Sequence, residues 1–159
     1  MYELLFTGPF GGTKKERLSE LWTTIQATYD TLACPTRLTH IKEDMCCSQG
    51  DFAVLNVKAA EAQHLLPTMC EICRDLQDGS PRDAHRLLAL ESLAGVYKIF
   101  KDGDMCLSLP VAEHALQLLE THLLHYNWLL KNALANGYLC YPLKYKTHNI
   151  WHIVSMHAT

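Results

Sequence analysis

Apolar side chains recur along this chain at three- and four-residue spacing, the period of a helix with one buried face. The clearest case is the stripe Leu18, Leu21, Trp22, Ile25, Tyr29 and Leu32, with Lys14, Lys15, Glu20 and Gln26 left for the polar side. Thr13 stands where its hydroxyl can cap the helix start, and Glu16, three residues on, completes a capping box. Pro35 stops the helix, because the residue before a proline is pushed out of helical conformation. Residues 36–45 are expected to form a short second helix, and residues 46–51, with Ser48, Gln49 and Gly50, a loop.

Helical character resumes near Ala53 and is strongest at Lys58, Ala59, Ala60, Glu61 and Ala62, all good helix formers. Pro67 falls inside this segment. An internal proline removes one backbone hydrogen bond and crowds the preceding turn, at about 3 kcal/mol, so a kink or two abutting helices are expected there. In the run 78–83, Gly79 suits the end of one helix, Ser80 caps the next, Pro81 takes its first position and Asp83 its third. Leu87, Leu90, Ala94, Tyr97 and Phe100 then form the expected buried stripe, closed by residues 101–104. Ser108 and Pro110 open the longest helix, which runs to Asn136 and Gly137. Its expected core face is Leu116, Leu119, Leu123, Tyr126, Leu130 and Ala133. Leu118, Trp128 and Leu129 carry apolar character around its other sides, which suits a central helix or one that packs on a partner. Residues 138–145 look extended, and residues 146–157 read as a final short helix.

The pattern predicts an all-α fold: a single helical domain over residues 1–159, whether whole or a segment of a longer protein. It is an irregular bundle of five or six helices, one kinked near Pro67, with a short extended N-terminal arm at residues 1–12. A chain of 159 residues can bury enough surface to fold without a disulfide or metal. With 48% hydrophobic and 19% charged residues it does not have the composition of a disordered chain. No stretch reaches the roughly 18–20 apolar residues of a membrane span. Residues 1–12 lack a basic leader and break at Gly8-Pro9, so they do not read as a signal peptide. The odd count of 7 cysteines, with Cys46 and Cys47 adjacent, argues against a disulfide framework and for an intracellular, reducing compartment, cytoplasmic or nuclear.

The net charge of −3 is uninformative, but its distribution is not. Every carboxylate side chain lies at or before Glu120, and residues 121–159 carry Lys131, Lys144 and Lys146 with His122, His125, His148, His152 and His157. Those three lysines, with Lys14, Lys15 and Arg17, are the candidates for phosphate contact if a nucleic acid is the partner.

Chemistry-bearing patterns are few. His148 and His152, four apart, share a helix face and could ligate one metal ion, but Asn149 stands where a zinc peptidase carries its glutamate base. Cys70 and Cys73 have the spacing of a zinc-binding or redox pair. With Leu66, Met69 and Ile72 around them they also read as core. Zinc, if bound, would take these two cysteines with His148 and His152. His114, His122 and His125, with Glu113 and Glu120, lack the Glu-x-x-His spacing of a dinuclear metal site and read as a solvated or interface face. Neither a phosphate-binding glycine loop nor a nucleophile elbow is present.

The run Tyr126-x-Trp128-Leu129, Ala133 to Gly137, Pro142-x-Lys144 and Lys146-x-His148-x-x-x-His152 resembles a segment of helical, transposase-derived predicted proteins of unicellular algae, which ends in a Lys-x-His-x-x-x-His signature. Leu21-Trp22-x-x-Ile25-Gln26-x-x-Tyr29, Ala59-Ala60-Glu61 and Leu65-Leu66-Pro67 echo the same pattern. Transposases of that kind use an acidic triad on a ribonuclease-H-like sheet. This chain shows no matching strand pattern and no acid after Glu120, so the resemblance implies a helical accessory piece without that active site. Two functions follow as expectations. The first is a non-enzymatic helical protein-interaction or structural module with a protein partner. The second is a mobile-element-derived, nucleic-acid-associated domain, zinc-stabilised or not.

Overall fold

A computed structural model describes residues 4, 9–42, 59–103 and 107–137, without the side chains of Ala59 and Ala60. Among the described residues the fold is all-helical, with four helices: α1 (Lys14–Thr31), α2 (Ala59–Asp75), α3 (Pro81–Asp102) and α4 (Leu109–Ala135). Each packs chiefly on its neighbour in sequence, most extensively α3 on α4. No described helix is long and apolar enough to cross a membrane.

Local chemistry sets the helix starts. Thr13 Oγ1 accepts the Glu16 N–H at 3.3 Å while Glu16 Oε2 accepts the Thr13 N–H at 2.7 Å, closing the expected capping box. These bonds hold the Glu16 carboxyl below its ordinary pKa. Ser80 caps α3 by accepting the Asp83 N–H at 3.2 Å, with Pro81 beginning the helix. The connection before it differs from expectation: α2 ends at Asp75, and Gly79 instead supplies a positive φ of 79° within the loop.

The end of α1 is built by a return turn. Cys34 N–H donates to Tyr29 O at 3.1 Å and Ala33 N–H to Asp30 O at 3.2 Å, the paired bonds of a Schellman motif. Ala33 occupies its left-handed position, with φ 48°, where glycine is the favoured residue. Arg37 folds back so that its guanidinium donates to the Cys34 and Tyr29 carbonyls and to Asp30. Residues 36–42 are therefore non-helical, correcting the expected helix over 36–45 in its described part. The left-handed strain predicts that Ala33→Gly raises stability by about 0.5–1 kcal/mol, the steric relief being partly offset by glycine's extra freedom when unfolded. A rise in the urea midpoint at unchanged slope is the measurement.

Pro67 lies within one continuous helix, so the alternative of two abutting helices does not hold. Its ring nitrogen carries no hydrogen, and the Gln63 carbonyl loses its intrahelical donor. Leu4 is helical and fully buried and Phe10 is buried, so at these two positions the expected extended arm is part of the core. The expected final helix at 146–157 lies outside the described residues.

Two apolar clusters hold the stack. The larger joins Leu21, Ile25 and Tyr29 of α1 to Leu65, Met69 and Ile72 of α2 and Leu87 of α3. The smaller is Val96, Ala115 and Leu119, flanked by Ile99, Leu116, Leu118 and Leu123, between α3 and α4. These last two helices form an antiparallel hairpin: Ala89 meets His122, while Val96, farther along α3, meets Leu119, farther back on α4. On α4 the buried positions Ala112, Ala115, Leu119, His122, Leu129 and Ala133 follow alternating three- and four-residue steps, with half-buried Tyr126 filling the series. Small residues let the backbones close. A Cβ at Gly95 would stand 2.9 Å from Leu118 Cδ1.

This seam corrects both expected stripes. On α3, Tyr97 and Phe100 are exposed, whereas Ala89, Ser92 and Val96 are buried. On α4 only Leu119 and Ala133 of the expected face are fully buried, and His122 joins them.

Candidate functional site

Where the first half of α2 passes the second half of α3, a groove of about 410 Å³ opens. Leu66 and Pro67 line it from α2, and Ala94, Gly95 and Tyr97 from α3; Gln63, His64, Lys98, Lys101 and Asp102 complete the wall. Short Ala94 leaves room beside the α3 backbone, whereas the missing side chain of Gly95 would point to Leu118 of α4. Lys98 and Lys101 are exposed and have no salt-bridge partner among the described residues. Tyr97 is 45% exposed at its edge. Such a surface offers apolar contact, a ring, two cations and the carboxylate of Asp102.

The cysteines singled out from sequence are core. Cys70 and Cys73 are both buried, one turn apart on α2. Burial pushes the Cys70 thiol up to about 12, and burial raises Cys73 as well, against the opposing pull of Arg86. In the metal-free chain both shifts favour the protonated thiol. His148 and His152, the histidines that would complete a zinc set, lie outside the described residues, as do Lys144 and Lys146. Among the described residues no three histidine, cysteine or carboxylate side chains converge on a metal-sized site. Lys131 is exposed on the outer face of α4, where it follows Glu120, Leu124 and Asn127 at helical spacing.

The histidines of α4 do not form one face, contrary to the reading of His114, His122 and His125 as a solvated or interface group. His114 is exposed. His122 is buried, and its Nδ1 lies 2.8 Å from the Ala89 carbonyl oxygen. A carbonyl only accepts, so Nδ1 carries the hydrogen and Nε2 the lone pair. Burial holds the His122 pKa below its ordinary value, with the Ala89 bond opposing. His125 turns to α3, where its Nδ1 lies 2.7 Å from His85 Nδ1. The His85 ring lies flat on Trp128, with centroids 4.0 Å apart and planes 6° apart.

Sequence reasoning did not single out His85, forty residues from its partner. The usable signal was spacing. His85, Ala89, Ser92 and Val96 repeat at four, three and four, and Leu119, His122, Tyr126 and Leu129 on the facing helix at three, four and three. Comparison of the chain with protein-family models, with curated proteins and with solved structures finds no match.

Proposed function

We propose that this protein is a non-enzymatic helical interaction module that seats an acidic, amphipathic segment of a protein partner in the groove between α2 and α3. The observation that carries the reading is the groove itself: an apolar lining of Leu66, Pro67, Ala94, Gly95 and Tyr97 with two exposed lysines beside it. An amphipathic helix fits by laying apolar side chains at three- and four-residue spacing into such a channel. Acidic residues on its flank would meet Lys98 and Lys101, which favour that partner over a basic one and speed its encounter.

The test uses a labelled helical peptide with leucines at i, i+3, i+4 and i+7 and glutamates elsewhere, followed by fluorescence anisotropy. Saturable binding is expected to weaken about tenfold or more in the Lys98→Glu/Lys101→Glu variant, because two attractions become repulsions. The matching lysine peptide should bind poorly to the native chain. Equal binding of both peptides, or indifference to the charge reversal, would sink the reading. Under the alternative, a nucleic-acid-associated domain using Lys131, Lys144 and Lys146, duplex DNA binds instead and its affinity falls steeply with salt.

A further inference from the structure

We infer that His85 and His125 form a proton-operated latch that holds the α3–α4 hairpin closed near neutral pH and releases it in mild acid. The Nδ1–Nδ1 separation of 2.7 Å fits one hydrogen between two nitrogens. One imidazole donates through Nδ1–H, and the other must present its Nδ1 lone pair. A first added proton can settle on the donor ring's far nitrogen and leave this bond intact. A second places N–H against N–H, breaks the bond and sets two cations side by side.

Among the described residues no salt bridge joins either ring to a carboxylate, and the Trp128 face can shelter only the charge on His85. On α3, His85 is flanked by Arg82 and Arg86, and the nearby Asp83 is engaged by Arg86. On α4, His122 lies one turn from His125, buried and donating to Ala89, with Tyr126 beside it. No carboxylate side chain occurs anywhere in residues 121–159. Helix α2 packs on α3 around Leu87 and Glu91, and its charged groups Glu71 and Arg74 are joined to one another and to Glu91. Burial first, then His85, lowers the His125 pKa, and burial lowers that of His122.

The sign follows from these directions. Folded-state values below the ordinary 6.5 mean that the hairpin is fully stable above that pH. Stability drains away as the pH falls from there through the folded values, because the unfolded chain takes up protons first. Among the described residues α4 packs chiefly on α3, so opening the pair weakens the main contact of that helix.

Two measurements test this. In a Trp22→Phe/Trp151→Phe background, Trp128 fluorescence and urea unfolding are followed from pH 7.5 to 5. The unfolding constant should rise about fivefold or more, the scale of one lost hydrogen bond. In the His85→Leu/His125→Leu variant the pair's share of that rise should vanish and only the share due to buried His122 remain; an identical pH dependence in both proteins would overturn the latch. Imidazole nitrogen NMR of the native chain decides the matter independently of how the variant folds. The pair should take up a single proton between them before the hairpin opens, whereas two separate, ordinary titrations near pH 6.5 would contradict it.

Discussion

Asp83→Ala should lower the free energy of unfolding by about 3–5 kcal/mol, the cost of deleting one partner of a buried ion pair. Asp83 and Arg86 are each 6% exposed, and the guanidinium donates directly to the carboxylate. The same carboxylate accepts the Asp78 N–H at 3.1 Å, tying down the loop before α3, and places an anion at that helix's positive end. Alanine would leave the Arg86 charge buried without this carboxylate and remove the loop's acceptor together. The cost reflects the weaker compensation of the buried Arg86 charge as well as the lost bond. The double change Asp83→Leu/Arg86→Met should therefore recover most of the loss, since apolar pairs replace buried ion pairs at little cost. Urea unfolding of the three proteins is the check, and a loss below about 1 kcal/mol in the single variant would mean the pair is hydrated.

Leu119→Ala should cost about 2–5 kcal/mol, the range for emptying a leucine's space in a packed core. Leu119 is 0% exposed and is the largest side chain in its cluster with Val96 and Ala115. Val96 and Ala115 share its cluster and Ile99, Leu116, Leu118 and Leu123 flank it, so the deleted side chain leaves a void within close-packed neighbours. Leu124, only five positions on, is 67% exposed on the outer face, and its alanine variant should stay within about 0.5 kcal/mol of the native chain. Thermal or urea unfolding separates the two, and a loss at Leu124 as large as at Leu119 would place the hairpin's buried face elsewhere.

Helix starts were legible in the sequence because capping is local. Thr13 with Glu16, and Ser80 with Pro81 and Asp83, act within one turn and need no tertiary partner. The buried faces were less so. A search for large apolar side chains selected Tyr97 and Phe100, whereas the seam runs through Ala89, Ser92 and Val96, which allow close approach and contribute little hydrophobicity. His122 was misplaced for the same reason, its burial depending on a carbonyl thirty-three residues away. The segment after Pro35 read as helical because Arg37's return to the end of α1 is invisible until that end exists. Cys70 and Cys73 matched a metal-site spacing, and only packing shows both thiols sealed in the interior. The groove was not legible at all, since it exists only where α2 and α3 lie side by side.

The central claim, that the α2–α3 groove receives an acidic amphipathic segment, is tested most directly by titrating the glutamate-and-leucine peptide into nitrogen-15-labelled protein and mapping amide shifts. The account predicts saturable shifts at Leu66, Ala94, Gly95 and Tyr97 that disappear with Lys98→Glu/Lys101→Glu. Shifts confined to the outer face of α4, around Leu124 and Lys131, or no shifts at millimolar peptide, would contradict it.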